Sequence, residues 1–361
     1  MSQGLQLYLD FVVFVFGAVV GSFLNVCIHR MPREQSIVSP PSHCPNCDQQ
    51  IRWRDNIPVV SFLVLRGKCR HCGARISPRY VLVELLTAVL FLAVWLRFPG
   101  WLPPIYWVLC AGLIAATFID FEHFIIPNEI TFGGVLVGFL LSVCYPPLMA
   151  WMDAPTVGQS ALRSLAGILT GGLTLWGVVE AGKLLFGKRK VPLPAGTVVT
   201  IADRTLKVDD EVLTWEEVFS RDSDRIIIHA QKLAFAGKTL ENVQAEVSET
   251  ELVVGGERHA LDAAGTIEAT TELVVIPREA MGLGDVKLLA AIGAFLGWKA
   301  TLFTVFASSV VGGVLGLLLV VVGRKDWQSR IPYGPYIALG ALLWLFFGAQ
   351  IVQWYVSLVK G

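Results

Sequence analysis

Charge is what this sequence has least of. Only 16% of its 361 residues are Asp, Glu, Lys or Arg, whereas a soluble domain usually carries about 25%. With 54% hydrophobic residues, this shortage argues against an ordinary soluble protein and predicts a polytopic membrane protein. The formal net charge is zero, and the basic residues lie in loops beside apolar runs. Such positions are typical of membrane orientation, so we predict no nucleic-acid partner.

Several familiar catalytic signatures are also missing. The sequence has no glycine-rich nucleotide loop after a predicted strand, and no Ser/His/Asp pattern that fits a hydrolase triad. The first apolar run, 7–28, ends without a cleavage site of the Ala-x-Ala type. We therefore interpret this run as a retained helix and not as a signal peptide.

The apolar runs predict an all-α polytopic fold in a lipid bilayer, with about eight transmembrane helices. Between them, residues 29–79 carry nine Lys or Arg against three acids, which places this loop in the cytoplasm and the N-terminus outside. The predicted helices cover residues 7–28, 80–95, 104–119, 130–144, 161–186, 285–298, 300–322 and 334–358.

One segment does not fit a membrane bundle. Of the 29 acidic residues, 17 lie between positions 191 and 279. Short β-branched runs occur there at 197–201, 225–229 and 251–254, which predicts a small β-rich soluble insert on the cytoplasmic side.

Four of the seven cysteines form two CxxC pairs with 21 residues between them. Disulfides are disfavoured in a cytoplasmic loop, whereas four thiolates favour tetrahedral Zn2+ in a closed, structural site. Unliganded or redox-active thiols are the alternative. The predicted zinc ligands are Cys44, Cys47, Cys69 and Cys72.

Two carboxylates stand at the ends of apolar runs. Asp120 follows the predicted helix 104–119, and Asp285 begins the predicted helix 285–298. The predicted topology brings both to the cytoplasmic boundary on helices of opposite direction. Like charges a few ångströms apart cannot both ionise, so the pair would share one proton and could catalyse acid–base hydrolysis. The alternatives are helix-end residues in contact with interfacial water, or groups that bind a cation or proton in a transporter.

Further residues complete the candidate site. Gly282 and Gly284 would let an extended backbone approach Asp285. Glu84 lies one turn into the predicted helix 80–95, where a structural pairing is favoured over catalysis. Lys287 and Asn128 lie near the two aspartates in the sequence.

With these features in this order, the chain resembles the type IV prepilin peptidases, also called leader peptidase/N-methyltransferases. This family consists of GxGD-type membrane aspartic proteases. Six blocks carry the resemblance. They are Gly21-Ser22-Phe23-Leu24-Asn25-Val26 with Arg30-Met31-Pro32, the two CxxC pairs, Ile76-Ser77-Pro78-Arg79-Tyr80 with Val83-Glu84, Ile119-Asp120 with Ile126-Pro127-Asn128, Gly282-Leu283-Gly284-Asp285-Val286-Lys287, and Ile331-Pro332-Tyr333-Gly334-Pro335.

The resemblance implies a multi-pass protein of the bacterial inner membrane. Asp120 and Asp285 would be the catalytic pair, cutting prepilins or type II secretion pseudopilins after a Gly at the cytoplasmic face. S-adenosylmethionine would be the methyl donor for a second reaction, N-methylation of the new N-terminus. A GxGD protease with other substrates would share the pair but would not predict the zinc loop.

These features divide the chain into five predicted segments. They are a first helix (1–28), a zinc-ribbon-like loop (29–79), helices with the first aspartate (80–187), the acidic β-rich insert (188–275), and the GxGD motif with the last helices (276–361).

The acidic insert departs from the family pattern and enters just before Gly282, and we predict that it modulates access of substrates or partners. Deleting residues 191–275 should change the rate or substrate range of prepilin cleavage, measured on several precursor peptides. Unchanged rates for every precursor would show that the insert is a tolerated surface addition.

Overall fold

The computed structural model describes residues 2–150, 155–186, 188–202, 204–208, 211–219, 224–277, 282–322 and 332–360. The chain divides into two compact units, one formed by Met1–Trp176 with Gly282–Gly361 and the other by Gly177–Met281. The α-helices are α1 (Gln3–Arg30), α2 (Val60–Val64), α3 (Arg79–Arg97), α4 (Leu102–His123), α5 (Asn128–Cys144), α6 (Val157–Phe186), α7 (Trp215–Val218), α8 (Leu261–Ala264), α9 (Leu283–Val321) and α10 (Gly334–Lys360). The strands are β1 (Lys188–Pro192), β2 (Val198–Ala202), β3 (Thr205–Val208), β4 (Glu211–Thr214), β5 (Ile226–Phe235), β6 (Lys238–Val247), β7 (Glu251–Val254), β8 (Glu257–Ala260) and β9 (Ile267–Pro277).

Six helices of the described residues are long and apolar enough to cross a membrane. The predicted count of eight spans is not confirmed. Helix α5, with 17 residues, is at the lower end of the range of about 17–25 residues for a span, and it is not among the six. The sixth and seventh predicted helices correspond to the two helical parts of α9, which meet at Gly297, a non-helical residue with φ of 78° and ψ of 176°.

The interruption of α9 at Gly297 has a physical reason. A straight helix over its 37-residue apolar stretch would be about 55 Å long, well beyond the ~30 Å hydrocarbon core of a bilayer. Only Gly adopts the backbone conformation of Gly297 without a steric penalty. The break therefore falls where the sequence analysis ended its sixth helix.

Glycines allow the membrane helices to approach closely. A Cβ at Gly17 or at Gly21 in α1 would lie 2.7 Å from a Cα atom of α3. A Cβ at Gly167 or at Gly171 in α6 would lie 2.1 Å or 2.5 Å from a backbone oxygen of α9. Small residues four apart are the usual means of tight helix packing in lipid.

The second unit contains the predicted β-rich insert. Its nine strands form one antiparallel sheet in the order β4-β3-β2-β9-β5-β6-β7-β8, with β1 also paired to β9. Buried residues of alternating strand positions, among them Val199, Ile228 and Leu233, form its hydrophobic core. At the β7–β8 hairpin, Gly255 and Gly256 both have positive φ, as a two-residue turn of type I′ requires.

Changing Gly167 to Ala should destabilise the membrane unit, because the added Cβ would lie 2.1 Å from the Gly293 carbonyl oxygen. Overpacking of this kind costs about 1–3 kcal/mol. Unfolding of the purified protein in detergent should therefore occur at a lower denaturant concentration. The matched control is Gly172→Ala, where an added Cβ meets nothing within 4 Å. Equal stability of the two variants would contradict the close contact between α6 and α9.

Candidate active site and metal centre

Asp120 lies in the last turn of α4, which continues to His123, beyond the predicted helix end at 119. Phe124 ends the helix in the left-handed conformation and donates its N–H to the Asp120 carbonyl at 3.0 Å. The Asp120 side chain is buried, with 5% exposure. Its Oδ2 accepts a hydrogen bond of 2.8 Å from the backbone N–H of Gly334.

Asp285 lies in the first turn of α9. Its N–H donates to the Gly282 carbonyl at 3.2 Å, and its side chain is buried, with 7% exposure. Its Oδ1 has no hydrogen-bond partner among the described residues. A buried carboxyl oxygen without a donor is costly, so this atom is available to a substrate or water.

Gly284, which precedes Asp285, and Gly334, which donates to Asp120, both pack on Ile126, a buried residue between α4 and α5. A Cβ at Gly284 would lie 3.1 Å from Ile126 Cβ, and a Cβ at Gly334 would lie 3.2 Å from Ile126 Cδ1. The two carboxyl groups are near enough to repel each other electrostatically. The structure therefore brings together two acidic groups from positions far apart in the sequence.

Among the other predicted site residues, Lys287 contacts Asn128, whereas the two glycines of the GxGD motif differ in how closely they are packed. Lys287 Nζ donates to Asn128 Oδ1 at 2.8 Å and lies 5.0 Å from the Phe132 ring centroid, which connects the starts of α5 and α9. Gly284 packs closely on Ile126, whereas a Cβ at Gly282 would meet atoms only at 3.9 Å or more. A close backbone approach is therefore required at Gly284 and not at Gly282.

Glu84 contacts the cysteine loop. Its Oε2 accepts a 2.7 Å hydrogen bond from the N–H of Val59, which precedes α2. The expected structural pairing of Glu84 therefore exists, but its donor is a backbone N–H. The sequence pattern gives no sign of this donor, since any residue carries one.

Sequence reasoning also missed the roles of Gly334 and Ile126. Gly334 supplies a backbone N–H and lacks a Cβ that would lie 2.8 Å from Asp120 Oδ2. The sequence signal for Gly334 was the Pro332-Tyr333-Gly334-Pro335 block, because a Pro at this position is typical of the first turn of a helix. Arg79, at the start of α3, also forms an ion pair with Glu122 in the same turn of α4 as Asp120.

The four predicted metal ligands come together in the loop between α1 and α3. Their Sγ atoms all lie within 4.8 Å of one another, and Cys44 Sγ lies 3.9 Å from Cys72 Sγ. Tetrahedral zinc with Zn–S bonds of about 2.3 Å requires Sγ atoms about 3.8 Å apart. The cluster therefore fits a structural zinc ion, as predicted.

The two CxxC turns have the same local structure. Asp48 donates its N–H to Cys44 O at 2.8 Å, and Gly73 donates to Cys69 O at 3.0 Å. Both Asp48 and Gly73 have positive φ. The loop is closed further by Arg70, which forms an ion pair of 2.6 Å with Asp55.

Hydrogen bonds prepare one of the thiols for a metal. The N–H of Ala74 and the amide of Asn46 lower the pKa of Cys72 to about 6. Asn46 Nδ2 lies 3.6 Å from Cys72 Sγ. Cys72 is therefore a thiolate at neutral pH, which is the form that binds zinc.

Two protein families match the chain. The bacterial peptidase A24 N-terminal domain matches residues 15–98, which contain the cysteine cluster. The type IV leader peptidase family matches residues 107–198 and 259–317, which contain both aspartates. The second match omits 199–258, a stretch within the β-sheet unit. The matched segments therefore include the cysteine cluster, both aspartates and Ile126, whereas Gly334 lies beyond them.

Curated relatives agree with these matches. The chain is 28% identical to the prepilin leader peptidase/N-methyltransferase of Aeromonas salmonicida, over 99% of this chain and 98% of that protein. It is 27% identical to the protein of the same name from Pseudomonas aeruginosa, over 95% and 92%. A type 4 prepilin-like proteins leader peptide-processing enzyme of Escherichia coli is 41% identical, over 43% of this chain and 67% of that protein. No solved structure matches the chain.

The cysteine cluster predicts about one zinc ion per purified chain. Altering a residue that only contacts a metal ligand weakens metal binding by about 10-fold to 100-fold. Cys72→Ser removes a ligand itself, so it should weaken zinc binding by more than about 100-fold. Mass spectrometry measures the zinc content of the purified protein, and competition with a chelator measures its zinc affinity. Cys144→Ser, an exposed cysteine of α5 outside the cluster, should retain zinc. Equal zinc content in the two variants would contradict the assignment.

Proposed function

This chain belongs to the type IV leader peptidase family, and from that premise we propose that Asp120 and Asp285 cleave the leader from prepilin-like precursors. The observation that carries the proposal is that these two buried carboxyl groups are near enough to repel each other, on segments whose glycines, Gly284 and Gly334, both pack on Ile126. A membrane-edge carboxylate that only contacts interfacial water would not need a buried acidic neighbour. N-methylation of the new amino terminus is the proposed second activity.

In the proposed mechanism the pair shares one proton. The Gly334 N–H stabilises negative charge on Asp120, which supports the ionised state and the role of general base for this residue. Asp285, whose Oδ1 has no hydrogen-bond donor among the described residues, carries the proton and donates it to the scissile carbonyl oxygen.

The proton transfers then balance. Asp120 takes a proton from water as the water oxygen bonds to the carbonyl carbon, while Asp285 protonates the carbonyl oxygen. Collapse of the resulting tetrahedral diol breaks the C–N bond. Asp285 takes back the proton of one hydroxyl group as the C=O bond re-forms, and Asp120 gives its proton to the leaving amine. The products are the leader carboxylate and a new N-terminal amine.

The proposed placement follows the charge of the loops. Residues 29–79 carry nine basic side chains, so we place this loop and the aspartate pair at the cytoplasmic face of the inner membrane. Zinc would hold the loop folded and take no part in cleavage, because four thiolates leave no open position. Gly284 and the Lys287–Asn128 hydrogen bond would position Asp285 from α9.

Replacing either aspartate by asparagine should lower the cleavage rate by at least about 100-fold, because each variant removes the general acid or base. Mass spectrometry of a synthetic prepilin peptide measures cleavage. The matched control is Asp10→Asn, which keeps an acceptor for the hydrogen bonds from Gln6 and Trp95. Cleavage that persists in Asp120→Asn or Asp285→Asn would show that the pair is not catalytic.

Gly334→Ala should lower kcat by about tenfold to 100-fold with little change in KM. The added Cβ would lie 2.8 Å from Asp120 Oδ2 and would displace the carboxylate from its N–H donor, a charged hydrogen bond that contributes about 1.5–3 kcal/mol. Gly313→Ala, where an added Cβ meets nothing within 4 Å, is the control. A normal kcat in Gly334→Ala would exclude a positioning role for this N–H.

A further inference from the structure

The start of α10 offers Asp120 a single backbone donor. A helix begins with N–H groups that have no partner within the helix, and the first of them here belongs to Gly334, which donates to Asp120 Oδ2 at 2.8 Å. The next residue is Pro335, which has no N–H. The N–H of Tyr336 is used within the helix, since it donates to the Tyr333 carbonyl at 3.0 Å. The ionised state of Asp120 therefore depends on where one peptide group is held.

That peptide group joins Tyr333 to Gly334. A trans peptide is planar, so its C=O and its N–H point in opposite directions. The Tyr333 carbonyl accepts the N–H groups of Tyr336 and Ile337, at 3.0 Å and 3.2 Å, while the Gly334 N–H donates to Asp120. A rotation of the backbone at Tyr333 would therefore move this N–H relative to the carboxylate.

Two serines of α9 fix the side chain of Tyr333. Its Oη lies 2.6 Å from Ser308 Oγ and 3.2 Å from Ser309 Oγ. Both serine hydroxyls donate to the Val305 carbonyl, at 3.1 Å and 2.7 Å, so their protons are used there. The Tyr333 O–H is therefore the donor, and Ser308 is its main acceptor. Ser308 is fully buried, where a hydrogen bond is stronger than in water.

The part of α9 that carries these serines packs tightly along α10. A Cβ at Gly340 would lie 3.0 Å from the Thr304 carbonyl oxygen, and a Cβ at Gly312 would lie 3.1 Å from Tyr336 Cδ2. Glycine contacts of this kind hold helices close together in lipid. The serines lie between Thr304 and Gly312 in the sequence, so α9 holds the acceptors of the Tyr333 hydroxyl firmly against α10.

We propose that Tyr333 is a positioning residue of the cleavage reaction. Its hydroxyl, anchored on Ser308 and Ser309, fixes the peptide group whose Gly334 N–H stabilises Asp120 as the ionised general base. The inference rests on the proposed cleavage activity and adds to it a residue that acts on Asp120 through Gly334. Helix α9 then serves both members of the acidic pair, because its first turn carries the other aspartate and its second part anchors the donor to Asp120.

The proposal assigns the role to the hydroxyl and not to the ring of Tyr333. The ring packs edge-on against the ring of Tyr336, with 6.3 Å between the centroids and 68° between the planes. Phenylalanine at position 333 would keep this ring contact and lose only the hydrogen bond to the serines. Packing and positioning are therefore separated by one substitution.

Steady-state kinetics of the full-length protein in lipid nanodiscs, with a synthetic prepilin peptide, test the proposal. Tyr333→Phe should lower kcat by about twofold to tenfold, the range of one neutral hydrogen bond, with little change in KM. The matched control is Tyr336→Phe, which removes a tyrosine hydroxyl from the first turn of α10 and keeps the contact between the two rings. It should match wild type, and equal kcat values in the two variants would overturn the proposal.

The pH profile of kcat gives a readout that a loss of packing would not change. When the Gly334 N–H is displaced, the ionised form of Asp120 loses a donor, so a higher pH is needed to ionise the pair once. The acid limb of the profile should therefore move to higher pH in Tyr333→Phe. Asp285, the charged group that lies against Asp120, is unchanged in this variant. A lower kcat with the acid limb at its wild-type position would overturn the positioning role.

Substitutions in α9 cover the case in which Tyr333→Phe does not fold, as judged by zinc content and melting temperature. Ser308→Ala combined with Ser309→Ala removes both acceptors and should lower kcat by the same factor as Tyr333→Phe. Where all variants fold, the triple variant should lose no more activity than the serine variant, because both changes remove one interaction. A normal kcat in the serine variant, or additive losses in the triple variant, would overturn the proposal.

Two further comparisons separate this inference from the cleavage mechanism on which it rests. In the Gly334→Ala background, Tyr333→Phe should lower kcat no further, and an undiminished effect there would show that Tyr333 does not act through Gly334. Retained cleavage in Asp120→Asn would overturn both the mechanism and the positioning role. Lost cleavage in Asp120→Asn with a wild-type profile in Tyr333→Phe would overturn the positioning role alone.

Discussion

Two carboxyl groups of like charge are held close together in an apolar helical bundle, and this arrangement costs free energy. Its local surroundings offset the cost in part. A backbone N–H from Gly334 stabilises Asp120, and glycines at 284 and 334 let both segments reach Ile126. The remaining cost stays at Asp285, whose Oδ1 is unsatisfied within the described residues. Unsatisfied groups of this kind mark positions that substrate or water completes.

This arrangement depends on close helix packing. Where two helices cross at a glycine, the missing Cβ lets their backbones come into contact. Such contacts occur between α1 and α3 and between α6 and α9. In lipid, such contacts are a main source of association because apolar side chains gain little by leaving the bilayer. They fix α9 against its neighbours, and α9 in turn fixes Asp285. The Arg79–Glu122 ion pair connects the same turn of α4 to the helix that carries Glu84.

The sequence predicted the pairing of Asp120 with Asp285, because loop charge and helix count place both at one membrane face. It also predicted the cysteine cluster, because four thiols in two CxxC pairs have one dominant use in a reducing compartment. The β-branched runs predicted strands β2, β5 and β7. Strand β6 was missed, because most of its first half is exposed and polar and shows no apolar alternation.

Other features were beyond sequence reasoning for physical reasons. The Gly334 donor to Asp120 and the Val59 donor to Glu84 are backbone N–H groups, which every residue except proline carries. The count of eight spans stays unconfirmed, because an apolar run with a central glycine predicts a break but not the direction of the chain after it. At Gly297 two helical parts meet, and a Cβ at Gly293 would lie only 2.9 Å from Thr301 Cγ2, so the chain folds back on itself there.

In the proposed cleavage reaction, one protonated and one ionised carboxyl group act together. The decisive measurement is the dependence of the cleavage rate on pH, on the folded, zinc-loaded protein with a prepilin peptide. We expect a bell-shaped profile, because only the singly protonated pair carries both an acid and a base. A rate that rises with pH to a plateau, or one that does not change while the protein stays folded, would contradict it.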